Sequence, residues 1–348
     1  MLDARCGLWS HLEDMRRGWT VVLGAVVWLG CAPAGGTDRI GPVERVDGPD
    51  GFVNRIVAAD DGVWAWVLIG DEHRIYRGGP DGDSWEEVLL ETPRPAIAVL
   101  RTMRGRAFAI TTTSAGLDAW ELGPTPRRRG AVPNQLSTGA DLCMDGSGRM
   151  LGILRGAMQR FVPGEGDGES VGEDWVYGTS ISCAELADGS ILAERRDGLV
   201  LIPDGGTPTI VRPCGEAPLT CLTDLGMGPE RADGSVDLTD SETLWRWSRD
   251  EPELARLSSF GDRTIVGPAP YFYTAIWTSI VDVDGLLLAT QRTDYGGGNG
   301  VLFVHEGADV WRILRSDLPP TVQIGLVTPR HVWLTDGGGG ALLRMARR

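Results

Sequence analysis

Seven turn dipeptides punctuate the chain at nearly even intervals: Asp61-Gly62, Arg104-Gly105, Asp145-Gly146, Asp188-Gly189, Asp233-Gly234, Asp284-Gly285 and Pro329-Arg330. Their second residues are separated by 43, 41, 43, 45, 51 and 45 positions. Asp-Gly supplies the positive φ of a tight hairpin, and each dipeptide lies between two alternating apolar segments. The first unit holds four such segments, 54–60, 63–69, 74–77 and 85–90. A four-stranded unit of about 40 to 45 residues cannot cover both of its faces alone, whereas seven set radially cover one another. The spacing predicts an all-β, seven-bladed β-propeller of four-stranded blades.

The third strands are the most alike: 74–77, 117–122, 158–162, 199–202, 244–247, 302–305 and 342–345. None contains Pro, and each is rich in large apolar residues, as strands between neighbouring blades should be. The seventh unit ends at Arg348, after its third strand. Residues 40–46 have the length of the missing strand, so the N-terminal segment is expected to complete the last blade and close the ring.

With no Lys, Arg supplies all 33 positive charges; 48 acids leave a net charge of -15. Such a chain repels phosphate backbones, so nucleic acid is not an expected partner. Glycine, at 49 of 348 residues, is about twice its usual share, which a chain built from turns requires.

Ahead of the repeats, Met15-Arg16-Arg17 is a short basic stretch and residues 19–29 are apolar apart from Thr20 and Gly24. Gly30-Cys31 follows, then Ala32, Pro33, Ala34, Gly35 and Gly36. This is the layout of an export signal. The 16 residues from 19 to 34 fall short of the roughly 20 that a membrane-crossing helix needs, so an anchoring helix is the weaker reading. Asp3, Glu13 and Asp14 are foreign to the start of a signal, and Met15 is the expected first residue. The Gly30-Cys31 end of the segment resembles the lipobox of bacterial lipoproteins, although Trp28 and Leu29 stand where that family usually has Leu and a small residue. The resemblance implies a signal peptide over 1–30, acylation of Cys31, a lipidated tether over 31–38 and the propeller over 39–348. Ala32 in place of Asp after the cysteine implies sorting to the outer membrane. An ordinary cleaved signal with an unmodified Cys31 is the alternative.

Segments beginning at Ser84-Trp85, Asp174-Trp175 and Val310-Trp311 resemble the Asp-box turn of sialidase-like (BNR-type) propellers, in degenerate form. Pro80 and Asp81 replace the signature Asp and first Gly in the best copy. The resemblance implies the fold, and these tryptophans are expected to pack between blades rather than stack on sugars.

The chemical inventory is thin. His73, His305 and His331 lie near strands of blades one, six and seven, with no pair at metal-ligand spacing. Glu165, Asp167, Glu169, Glu173 and Asp174 form an acidic loop that lacks the Gly and Glu of an EF-hand, so neither metal nor cofactor is expected. Cys214 and Cys221 bracket a short inter-blade connection and are expected to form a disulfide. Cys143 and Cys183, two and five residues before their turn Asp, read as buried free thiols on the first strands of adjacent blades.

At the rim where blade-to-blade connections meet the second-to-third turns, the innermost strands begin with Asn54, Arg55, Arg94, Asp141, Thr179, Ser180, Thr220, Thr274, Thr321 and Gln323. So few carboxylates argue against a sialidase-like or lactonase-like hydrolase, which is kept as the alternative. The preferred reading is a monomeric, lipid-anchored envelope protein with a non-catalytic binding surface for a protein or glycan. Blade six departs most from the period, with its leading loop 261–272 and its connection 292–300 on that rim. Arg263, Tyr271, Arg292, Asp294 and Tyr295 are the candidate contact residues.

Overall fold

Among the described residues each hairpin turn falls at or beside its dipeptide, and Asp284 and Gly285 lie outside them. In the computed structural model, Arg104 (φ 48°) and Gly105 (φ 71°) form a two-residue turn joining Ala96–Met103 to Arg106–Thr113, the left-handed pair that matches strand twist. The structure describes residues 39–348 except 83, 92–93, 134–135, 137–141, 155–156, 167, 173–181, 196–197, 214–225, 240–242, 252–253, 260–263, 267–274, 284–285, 294–298, 308 and 337–339; for 172, 195, 258–259, 275–282 and 292–293 it describes the backbone alone.

Seven sheets follow one another as blades of a β-propeller. Blades one to five span 52–88, 96–132, 143–172, 183–213 and 226–259, each four antiparallel strands in chain order. Blade six spans 275–318 and carries a fifth strand, Thr264–Val266, parallel to the outer strand Val310–Leu318. Part of the expected leading loop 261–272 therefore lies along the outer edge of the blade. Blade seven comprises Val322–Val327, His331–Asp336 and Leu342–Arg347, and Ile40–Arg45 is its fourth strand. Ile40 faces Arg347 and Arg45 faces Leu343, so the N-terminal strand closes the ring. Gly35–Arg348 groups as one compact unit.

The core lies between blades. Second strands such as Gly62–Ile69 and Arg106–Thr113 are buried on both faces, because a neighbouring blade covers each side. Trp64, Val57, Leu100 and Ala109 fill the seam between blades one and two, and Trp311, Leu244 and Phe303 that between five and six. Trp333, Ile56 and Leu342, with the half-buried Trp85, fill the closing seam. Trp85 and Trp311 thus pack between blades as expected, while Trp175 lies outside the described residues. The fourth strand of blade three is Glu169–Gly172, earlier than the Asp174-Trp175 segment suggested. Glu169 belongs to this strand rather than to a solvated loop, and pairs with Arg149 (3.4 Å) and Arg160 (3.6 Å).

The two buried cysteines require a correction. Cys143 and Cys183 form a disulfide across the seam of blades three and four, with Cα atoms 6.3 Å apart. The first hairpins of blades three, four and five are closed by Asp145 N to Arg149 O, Leu186 N to Ser190 O and Arg231 N to Ser235 O, all within 2.9 Å. The equivalent left-handed residues are therefore Gly148, Gly189 and Gly234. Gly146 serves instead as a close-approach point, donating its N–H to Gly189 O at 2.8 Å. Counted from the equivalent glycines, the cysteines stand five and six residues upstream. An offset of one turns a side chain to the other face of its blade, which is what two blades facing each other need.

Candidate functional site

Two clusters of polar groups stand out among the described residues, one at each rim. On the rim of the second-to-third turns, Glu72, His73 and Arg74 open the third strand of blade one, Glu87 lies on its fourth strand, and Arg94 leads into blade two. Arg74 donates to Glu72 (2.8 Å) and Glu87 (3.3 Å), while Arg94 donates through Nε and Nη2 to Glu87 Oε1 at 3.0 and 2.7 Å. The hydrogen bond to Glu72 raises Arg74 above its ordinary value. His73 Nδ1 accepts the backbone N–H of Ile97 at 3.0 Å, which leaves Nε2 as the donor of the neutral ring. The ring stacks on Trp66 with centroids 5.5 Å apart.

His73, Arg74, Glu87 and Arg94 line a cleft, open to solvent, whose apolar walls include Ile75, Val88, Leu89 and Ile97. Leu89 is 57% exposed at its lip. The cleft is shallow, with enclosed room for about one water molecule, far less than an ordinary small-molecule pocket offers. One carboxylate, Glu87, and an imidazole line it, with Glu72 beside them through Arg74; both carboxylates are held in ion pairs and belong to the outer strands of blade one.

At the opposite rim, Arg104 spans three blades. From the turn of blade two its guanidinium donates to Met144 O (2.9 Å) in blade three and to Leu186 O and Ser190 O (3.3 Å) in blade four. Its backbone N–H and that of Met144 both donate to the Glu185 carboxylate, at 2.5 and 2.6 Å. Burial pushes Glu185 above the ordinary carboxylate range even so, with those two bonds pulling the other way. Nearby, Arg249 bonds Asp188 at 2.6 Å and holds that carboxyl well below its usual range.

Of the residues expected at the rim, Arg94 is in the cleft, Asn54 and Gln323 are exposed, and Thr321 donates to the buried Asp336. Arg55 is half-buried on the first strand of blade one. Asp141, Thr179, Ser180, Thr220 and Thr274 lie outside the described residues, as do Cys31, Cys214, Cys221, Arg263, Tyr271, Asp294, Tyr295 and the side chain of Arg292. The other two described histidines each pack on a tryptophan of their own blade: His305 on Trp311 and His331 on Trp333, with centroids 4.9 and 5.9 Å apart. Burial lowers His305. Among the described residues no group of His, Cys, Asp and Glu is placed to hold a metal ion. Sequence reasoning missed the cleft and the Arg104 pin; Glu72-His73-Arg74 at the head of one third strand was the visible trace of the first.

No known protein family matches the sequence, and no curated protein matches it. Solved structures do share the fold. Streptogramin B lyase superposes with a TM-score of 0.60 at 12% identity, over 89% of this chain and 98% of its own. YCF48 bound to D1 peptide gives 0.54 at 12% identity, over 87% and 94%. The extracellular domain of BT4673 from B. thetaiotaomicron gives 0.53 at 12% identity, over 88% of this chain and 40% of its own. At such identities the likeness concerns the propeller alone.

Proposed function

We propose that the chain is a lipid-anchored β-propeller of the bacterial cell envelope that presents a non-catalytic binding surface to a protein or glycan. Cys31 carries the lipid, 32–38 forms the tether, and the outer membrane is the destination. The observation that carries the reading is the Cys143–Cys183 disulfide, since such bridges form and persist in oxidising compartments and are rare in the bacterial cytosol. Cys214 and Cys221 form a second bridge in this reading.

The cleft between blades one and two supports a surface that grips a partner rather than transforms a substrate. It is small, and Glu72 and Glu87 are engaged by Arg74 and Arg94, so neither is poised as a general acid or base. In this reading Tyr271, Arg292, Asp294 and Tyr295 of the blade six loops extend the surface, whereas Thr264, next to Arg263, bonds Asp309 in the third-to-fourth turn, at the other rim. Among proteins of this fold, YCF48 is seen with a peptide and the BT4673 domain is extracellular, precedents for both halves of the reading. The hydrolase alternative would need acids that are not held in ion pairs.

Metabolic labelling with a palmitate analogue, followed by fractionation, tests the anchor: the wild-type protein should carry label and sediment with the outer membrane, and Cys31→Ala should lose both. Unlabelled protein in the cytosolic fraction with reduced Cys143 and Cys183 would overturn the assignment to the envelope.

A further inference from the structure

The chain that follows Cys31 joins the propeller at one corner of blade seven. Ile40 opens the closing strand opposite Arg347. Arg348 N–H donates to Arg39 O at 2.8 Å, and Arg347 N–H to Arg330 O at 2.7 Å. The residue before the closing strand, the end of the third strand and the first hairpin turn of this blade therefore share one rim, that of the Arg104 pin. The cleft of His73, Arg74, Glu87 and Arg94 opens on the other. From Cys31 to Arg39 the chain advances eight residues, which reach about 27 Å when extended. A blade whose second strand is eight residues long stands about as high. Tether length alone thus allows either rim to face a membrane, and surface charge decides which one does.

Arginines crowd that corner. Blade seven with its closing strand, 39–46 and 322–348, holds six arginines against Glu44 and the buried Asp336, in a chain with a net charge of -15. Arg39, Arg330 and Arg348 are exposed, and the side chain of Arg330 keeps 69% of its surface in water while pairing with Asp81 at 2.8 Å. Arg347 donates to the neutral carbonyl of Thr328, and Arg344 to that of Asp81. Asp81, Asp38 beside Arg39 in sequence and the carboxylate of Arg348 offset part of this charge and leave a surplus of cations. Blade two, 96–132, holds as many arginines and acids, but Arg128 and Arg129 pair there with Asp118 and Glu121, and no tether leaves it. Blade one and blades three to six each carry more carboxylates than arginines. The tether thus leaves the propeller from a basic corner, and the side across the ring is acidic.

We propose that this corner, Arg39, Arg330, Arg347 and Arg348, docks on anionic lipid headgroups, so that the propeller lies with blade seven against the membrane and its cleft rim turned away. The inference rests on the anchor at Cys31 proposed above and adds what an anchor alone does not set, the side of the propeller that the membrane covers. The anchor keeps the corner within reach of the surface, where guanidinium groups suit lipid phosphates and the acidic blades are held off by repulsion. A lipid chain and a basic patch also reinforce each other in holding a protein to a bilayer. Docked in this way, the propeller leaves its cleft open to a partner away from the membrane.

The mature lipidated protein, reconstituted into vesicles of phosphatidylcholine alone or mixed equally with phosphatidylglycerol, tests the proposal. A dye on Ala346→Cys, exposed beside the corner, or on Leu89→Cys, at the lip of the cleft, reports its distance from a quencher carried on lipid headgroups. With phosphatidylglycerol present, the dye at position 346 should be quenched and the dye at position 89 should not. High salt, pure phosphatidylcholine or the combined variant Arg39→Gln, Arg330→Gln and Arg348→Gln should each lower quenching at position 346 by about half or more. The melting temperature of the combined variant shows that it is folded, and the salt and lipid arms need no arginine variant. Equal quenching at the two positions, or quenching at position 346 that ignores both phosphatidylglycerol and salt, would overturn the docking. Flotation with phosphatidylcholine alone reports the anchor separately. Protein that floats only with phosphatidylglycerol, and no longer does so in high salt, would remove the anchor and keep the corner, whereas protein that floats with neither would remove both.

Discussion

The seam between blades one and two and the seam between blades three and four have the same apolar filling and opposite polar finishes. In both, alternating residues of second and third strands interlock, Trp64 and Ala109 in one, Leu151 and Val200 in the other. At the first seam, Glu72, Arg74, Glu87 and Arg94 stay at the surface, with side chains 25 to 56% exposed, and frame an open cleft. At the other, the polar groups are consumed by the protein: Arg104 by three carbonyls, Glu185 by two N–H groups, and Cys143 and Cys183 by each other. Polar groups satisfied by backbone make a frame, whereas polar groups satisfied only by one another at the surface can exchange partners. The first seam is suited to meet a ligand and the second to hold the ring.

The largest expected effect is on the frame. Replacing Cys143 and Cys183 together by Ser should cost about 4 kcal/mol by loop-closure entropy for their separation of 40 residues, read as a lower urea midpoint at unchanged m-value. An unchanged midpoint would mean that the seam is held without the bridge.

Next comes Arg104. Arg104→Ala strips donors from three carbonyls and places a Cβ residue without compensation at φ 48°, for an expected loss of about 2 to 3 kcal/mol. Arg104→Gly removes the same hydrogen bonds but suits the turn, so it should melt above Arg104→Ala. Equal melting temperatures would assign the whole effect to the guanidinium.

Glu185 supplies a pH test of the same frame. Its folded pKa lies above the unfolded value, so the folded state binds the proton more tightly and pays for the buried charge at higher pH. Its contribution to stability should therefore fall as pH rises from the ordinary carboxylate range through the raised folded pKa. It should be level below that window and above it. Glu185→Gln should lack this slope in urea titrations from about pH 4 to 7, and an identical slope in both proteins would place the titrating group elsewhere.

The smallest stability change is expected in the cleft. Arg94→Ala breaks an exposed pair and should move stability by about 0.5 kcal/mol or less. The same change should weaken capture of the envelope partner markedly, whereas Arg104→Gly should not once the protein is folded. A partner captured equally well by both variants would move the contact to the blade six loops.

Fold and site were legible to different depths. The seven hairpins, the Pro-free third strands and the closing strand 40–46 could be read because each depends on local backbone chemistry repeated at a fixed period. Asp145-Gly146 shows where such reading fails. The dipeptide resembles Asp188-Gly189, yet in a three-residue turn the left-handed position falls to Gly148, and the two-residue difference placed Cys143 and Cys183 at mismatched heights. The fifth strand Thr264–Val266 was hidden for a related reason: it pairs in parallel with a strand more than forty residues later, and nothing local announces such a partner.

By itself, then, the amino-acid sequence determined the number of blades, their order and the way the ring closes, since turn glycines, alternation and period act within one blade. Only the tertiary structure decided that Cys143 meets Cys183, that Arg104 reaches two blades beyond its own, and that His73, Arg74, Glu87 and Arg94 share one cleft. Those contacts depend on the relative height and facing of neighbouring blades, where a shift of one residue turns a side chain to the opposite face.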